Sequence, residues 1–275
     1  MEFFKGEKMS SREMEVSGTF YPNSKDEINR YIEHFNKSFS IKDDNKIGIK
    51  PQAIISPHAG YIYSGFTANI AYNISSNENI NRVIIIGPSH KVYLEGASIA
   101  LYDNYKTPLG DLKIDLEYSN ILKNKFSFLD FYQEAHKEHS TETQVPFVKN
   151  YFKNAKVIEI VYGKLDFNDL SLLIDDLLLD KTNFIVISTD LSHFYNLEKA
   201  KKLDNICLNG IANKDLELFD KGCEACGIVG VKAMIKSAIK YKFDTQILHY
   251  CTSYDRTKDK SSVVGYASAL IGEKV

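Results

Sequence analysis

Five runs of β-branched and aliphatic residues most constrain this chain: "QAIIS" (52–56), "RVIIIG" (82–87), "KVIEIVYG" (156–163), "NFIVIS" (183–188) and "SVVGYASALIG" (262–272). Apolar runs without in-and-out alternation suit strands buried on both faces, which need helices on each side of the sheet. Segments of helical period separate them, at 25–37, 64–74, 143–153, 167–179, 197–213 and 228–241. The alternation predicts an α/β fold, with a mainly parallel central sheet and helices on both faces. Pro51, Pro57 and Pro88 fall at strand ends, where a missing N–H costs least. The stretch 97–115 predicts a hairpin, with Pro108 and Gly110 as its turn residues. No glycine- or serine-rich linker divides the 275 residues, so 1–275 reads as a single domain.

Composition removes several classes of function. The formal net charge is −2 with the two signs interspersed, which leaves no footprint for nucleic acid or an anionic membrane. No apolar run approaches the roughly 20 residues of a membrane helix. The polar start "MEFFKGEKMSSREME" lacks the apolar core of a signal peptide. The expectation is a cytoplasmic protein that takes a small-molecule or peptide ligand or a protein partner. GxGxxG, Walker and GxSxG sequences are absent, which removes the usual handles for nucleotide binding and esterase chemistry. Cys207, Cys223, Cys226 and Cys251 are too sparse for a disulfide scaffold. Cys223 and Cys226 have CxxC spacing but no second close pair to complete a zinc site. Structural packing is the favoured reading of that pair, with thiol redox chemistry the alternative.

Histidines at strand ends carry the functional signal. In open α/β sheets ligands bind beyond the carboxyl ends of the strands. Here "QAIISPH" ends in His58, "RVIIIGPSH" in His90, and "NFIVISTDLSH" supplies Asp190 and His193. Imidazole binds metals and titrates near neutrality, so a cluster suits metal binding or proton transfer. A lone histidine usually caps a helix or bonds a nearby carbonyl, and His34 and His249 are read in that way. In "EAHKEHSTETQVPF", His136, His139 and Glu142 recur at spacings of three and share a face if the turn is helical. Ser140 or Thr141 is the expected cap, and Pro146 sits early enough in the helix to be tolerated. For His139 and Glu142, contact with substrate and a solvated cap both stand as readings.

Seven motifs in order, "SGTFYP", "ISPHAGYIYSG", "IIIGPSH", "EHSTETQVPF", "ISTDLSHF", "ACG" and "SSVVGYASAL", resemble the Memo family from about residue 11 to 272. Its archaeal and bacterial members are known as AmmeMemoRadiSam system protein B. The resemblance implies a class III extradiol dioxygenase-like fold with a metal pocket at strand ends. It implies His58 and His90 as metal-site residues, and Asp190 and His193 in the same pocket. Animal members carry a cysteine six residues before the "SS" of the last strand, and counting back from Ser261 reaches Asp255; Cys251 lies four positions away.

With Asp255 as third ligand, two histidines and a carboxylate form a facial triad that favours Fe(II); a thiolate would tilt the site toward Cu or Zn. The alternative for Asp255 is a solvated turn in "DRTKDK". The enzymatic expectation is a non-haem, metal-dependent oxidoreductase with His193 as acid or base, oriented by Asp190, and Tyr61 and Tyr63 at the pocket rim. Partners implied by the resemblance are AMMECR-type and radical SAM proteins. The competing expectation is a non-catalytic module that binds a peptide or stores metal on the same scaffold.

Overall fold

The computed structural model describes residues 11–39 and 47–275. Residues 1–10 of the polar start, expected not to be a signal peptide, lie outside the described residues. In chain order the strands are β1 (Ile49–Ser56), β2 (Arg82–Pro88), β3 (Ala97–Ile99), β4 (Asn104–Tyr105), β5 (Leu112–Lys113), β6 (Leu129–Asp130), β7 (Lys156–Tyr162), β8 (Asn183–Ser188), β9 (His193–Tyr195), β10 (Asp244–Thr252) and β11 (Val263–Lys274). The helices are α1 (Lys25–Ser38), α2 (Phe66–Ser75), α3 (Leu116–Lys125), α4 (His139–Glu142), α5 (Val145–Tyr151), α6 (Phe167–Leu177), α7 (Leu197–Asn213), α8 (Leu216–Phe219), α9 (Ile228–Tyr241) and α10 (Tyr254–Thr257).

The main sheet runs β10-β11-β1-β8-β2-β7-β3-β6, with β9 attached to β11. Its centre, β1-β8-β2-β7, is parallel, and Ile84 on β2 pairs with Ile185 on β8 and Ile158 on β7. Successive residues serve opposite faces. Ile54, Val83, Ile85 and Val186 pack with residues of α1, α2 and α5, while Ile55, Ile84, Ile86 and Ile185 pack with residues of α6 and α9. Each central strand is therefore apolar at nearly every position. The hairpin at Pro108 and Gly110 forms as β4 and β5.

The sheet is not parallel throughout: β3 pairs antiparallel with β7, and β9 with β11. The run 262–272 becomes β11, antiparallel to β1 and β10. β10 itself is nearly all half-buried and mixes polar with apolar residues, so it lacks the buried-strand pattern. The reversal has a consequence for the site: β11 begins where β1, β2 and β8 end, and its Val264 pairs with His193. The histidines that follow β1 and β2, and His193 on β9 beside the start of β11, thus share one edge of the sheet.

β11 also packs tightly against β1. Gly272 is paired with Pro51, and a β-carbon on it would lie 2.0 Å from the Lys50 carbonyl oxygen. Gly272→Ala must displace one strand and is expected to cost about 1–3 kcal/mol by urea unfolding. Gly48→Ala faces open space and serves as the near-neutral control.

Candidate metal centre

The edge is assembled by short polar contacts. β1 ends at Ser56 and delivers His58, whose backbone N–H donates to Asp190 Oδ1 at 2.8 Å. The Ser188 hydroxyl at the end of β8 donates to the Ser140 carbonyl at 2.5 Å and lies 2.9 Å from His58 Nδ1. Its one proton is thereby committed, so it accepts from His58 Nδ1–H, and the lone pair of His58 is left on Nε2. Gln144 Nε2 donates to the same hydroxyl at 3.0 Å. β2 ends in Gly87 and Pro88, and Ser140 at the start of α4 donates to the Pro88 carbonyl at 2.7 Å. A β-carbon at Gly87 would meet Ser140 Oγ at 2.7 Å, so the absence of a side chain there admits α4.

Glu138 organises the other two imidazoles. Its buried carboxylate caps α4, accepting from the backbone N–H of His139 at 2.8 Å and of Ser140 at 3.1 Å. It also accepts from the His90 N–H at 2.6 Å and lies 2.7 Å from His139 Nδ1 and 3.2 Å from His90 Nδ1. Burial alone would raise its pKa, but the bonds from His139 and His90 outweigh burial and hold the carboxyl well below its ordinary range. An ionised carboxylate only accepts, so both Nδ1 atoms donate to it, and in the neutral form of each ring the lone pair lies on Nε2.

His58, His90 and His139 form a group that could hold a metal ion, with one ligand atom from each lying within 4.8 Å of the others. Carboxylate–histidine pairs of this kind fix the tautomer and aim of metal-binding imidazoles. Burial, and then the facing His139 and His90, push the His58 pKa well below 6.5, so its ring stays neutral as metal binding requires.

The other expected site residues separate into two groups. Asp190, His193 and Tyr63 line a cavity of about 400 Å³ together with His139, Phe20 and Tyr266. Asp190 is raised in pKa by burial and anchors the His58 backbone; this bond, rather than one to His193, is what its carboxylate makes. His193 sits on β9 beside Phe194, whose φ of 63° is a left-handed conformation rare for a bulky side chain.

Asp255, Glu142 and Tyr61 are not brought to the imidazoles. Asp255 accepts from the Thr252 N–H at 2.8 Å at the start of α10, and His139 stands in the group where Asp255 was expected. Glu142 is fully buried, accepting from Arg12 at 2.8 Å, the Val16 N–H at 2.8 Å and the Tyr21 hydroxyl at 2.8 Å. Tyr61 is buried, stacks on Phe147 and donates to the Thr143 carbonyl. His136 turns to Glu159 and Ser98, so the residues at spacings of three do not share a face. Pro146 does lie in the first turn of α5, but the cap position there is Gln144 without a side-chain cap bond; Ser140 and Thr141 lie within the short α4, which Glu138 caps.

The cysteines also part company. Cys223 is disulfide-bonded to Cys207, whereas Cys226 Sγ lies 3.3 Å from His58 Nε2. Burial pushes the Cys226 thiol up to about 12. The CxxC spacing thus joins residues with different partners, and Cys226 touches the site, a role that reading it as packing missed.

The model of the Memo-like protein family matches residues 12–270. The chain belongs to the Memo-like family. A MEMO1 family protein of Aquifex aeolicus is 35% identical over 274 residues, covering 95% of this chain and 99% of the relative. A Methanococcus maripaludis Memo relative is 36% identical with 93% and 98% covered, and one from Methanobrevibacter smithii is 35% identical with 94% and 99% covered. The Memo match runs from before β1 into β11 and therefore covers every residue of the histidine group. Among the described residues, no helix is long and apolar enough to cross a membrane.

The depressed His58 pKa gives a directional prediction for this Memo-like chain without metal. A ring held neutral when folded contributes stability that is complete above its unfolded value of 6.5 and is lost as pH falls below it. The urea midpoint of wild type should drop between about pH 7.5 and about pH 5.5, and His58→Gln should flatten that part of the profile.

Proposed function

We propose that the chain binds one divalent first-row metal ion through His58, His90 and His139, and uses the adjoining cavity to present a small-molecule or peptide ligand to it. The observation that carries this reading is the grouping of three imidazoles, each offering a ring nitrogen within 4.8 Å of the others and each with a polar partner at Nδ1. Three neutral imidazoles suit Fe(II), Zn(II) and Cu(II) alike. The preference for Fe(II) rested on a carboxylate from Asp255, which the group does not contain, so the reading commits to the ligand set and leaves the ion to measurement. When bound, such an ion would polarise an oxygen of the ligand or exchange electrons with it.

The protein's own groups supply the remainder. Glu138 aims two imidazoles, the aromatic wall of Phe20, Tyr63 and Tyr266 limits water, and His193 is the group available to take or give a proton on the ligand side. On this reading the chain is a metal-dependent oxidoreductase, acting in the cytoplasm with the AMMECR-type and radical SAM partners that the family resemblance implies. Exposed Phe194 and half-exposed Tyr63 at the cavity mouth favour the second reading, a peptide-binding module without turnover. Oxygen uptake that disappears in His193→Ala selects the enzyme; ligand binding without uptake selects the module.

Anaerobic titration with Fe(II), Co(II) and Zn(II), with bound metal counted by elemental analysis, tests the ligand set. About one ion per chain is expected in wild type, with the loss of most affinity in His58→Ala, His90→Ala and His139→Ala. Glu138→Gln should weaken binding by about 10–100-fold while leaving the stoichiometry intact. Unchanged affinity in all three alanine variants contradicts the assignment.

A further inference from the structure

Helix α7 is fastened to the metal pocket at two points. Asp204, fully buried on α7, accepts from the Ser192 N–H at 2.9 Å and the Tyr250 hydroxyl at 2.7 Å, and so holds the loop that carries Asp190 and His193. One turn further, Cys207 is joined to Cys223 by the disulfide. Cys223 opens the segment 223–227, which backs His58 and Asp190. There the Cys226 N–H donates to the Asp190 carbonyl at 3.2 Å, and the Asp190 N–H donates to Cys226 Sγ at 3.3 Å. The Gly227 N–H donates to Thr189 Oγ1 at 2.8 Å, and the Cys226 sulfur lies 3.3 Å from His58 Nε2. A β-carbon on Gly227 would come within 2.6 Å of Thr189 Cβ, so the segment has no slack against the end of β8.

The two sulfurs differ in access. Cys207 is buried, whereas Cys223 is half-buried at the end of an exposed turn. A thiolate arriving from solution therefore meets Cys223 first.

We propose that the Cys207–Cys223 bond is a reversible redox-modification site: a dithiol opens it, loosening the wall that holds His58 and Asp190 and lowering the metal affinity of the histidine group. The affinity clause rests on the metal-binding reading above. One thiolate of the dithiol attacks Cys223 Sγ, the bond to Cys207 breaks, and Cys207 leaves as a thiolate that takes a proton. The second thiol of the reductant, as its thiolate, then attacks the mixed disulfide, releasing Cys223 as a thiol and the reductant as a cyclic disulfide. Two electrons and two protons pass from the dithiol to the protein. With the bond open, the segment keeps its hydrogen bonds to β8 and the following loop and the packing of Ala225 in the cluster with Leu191 and Ala267, but loses its covalent tie to α7, and the unfolded range of its 16-residue span is no longer restricted.

The test compares air-oxidised wild type, wild type reduced with dithiothreitol and desalted under argon, Cys207→Ser and Cys223→Ser. Alkylation of the denatured chain without reductant should label Cys226 and Cys251 only in the oxidised protein, and all cysteines after reduction. Amide hydrogen exchange over 188–193 and 221–228 should be faster in the reduced protein and in both serine variants, and the variants should not respond to dithiothreitol. Co(II) affinity should fall by about tenfold or more in the same three samples. Labelling of every cysteine in the untreated protein overturns the proposal, as does exchange that is the same in all four, or His58-dependent Co(II) affinity that is the same in all four. Failure of the metal reading has a different signature: the oxidised protein would not bind Co(II), or would bind it equally well as His58→Ala, while exchange still decides whether the clamp exists.

Discussion

A single carboxylate holds the centre of this structure together. Glu138 terminates a loop, caps α4 and takes hydrogen bonds from two imidazoles and from backbone N–H groups on both sides of the pocket. A buried charge without partners would be costly, and here every partner is a group whose orientation the site needs. One interaction therefore sets helix start, strand-end loop and ligand geometry together.

Glu138 is supported from behind by a second buried network. Arg12 donates to the Glu138 carbonyl at 3.1 Å and to Glu142, while Glu159 on β7 accepts from Tyr105 and Thr141 and pairs with His136. The N-terminal strand-like segment closes this arrangement and places Phe20 with its ring centroid 4.8 Å from that of His139. Breaking one partner of such a network strands the others in a low dielectric, so its members act as a unit. The residues that hold the pocket are accordingly more numerous than those that face it.

What could be read in advance followed from chain locality. His58 and His90 each follow a buried strand within a few residues, and the parallel register carries them to the same edge without any long loop to interpret. His139 lay in a stretch where charged and polar residues serve equally as cap, network or ligand, and only the fold of that stretch separates the roles. Glu138 passed unnoticed beside it because a carboxylate before a short helix looks like an ordinary cap, which it also is. The family resemblance, counted back from Ser261, points to Asp255, but α10 turns that carboxylate back onto Thr252. Cys223 and Cys226 are close in sequence and look like a pair, although their sulfurs point to α7 and to His58 respectively.

Co(II) bound in the crystal and located by anomalous scattering tests the central claim most directly. The account predicts one strong peak within bonding distance of Nε2 of His58, His90 and His139, with Glu138 outside the coordination sphere. A peak elsewhere, beside Asp255 and Cys251 for example, or one that leaves any of these three imidazoles unliganded, would contradict it.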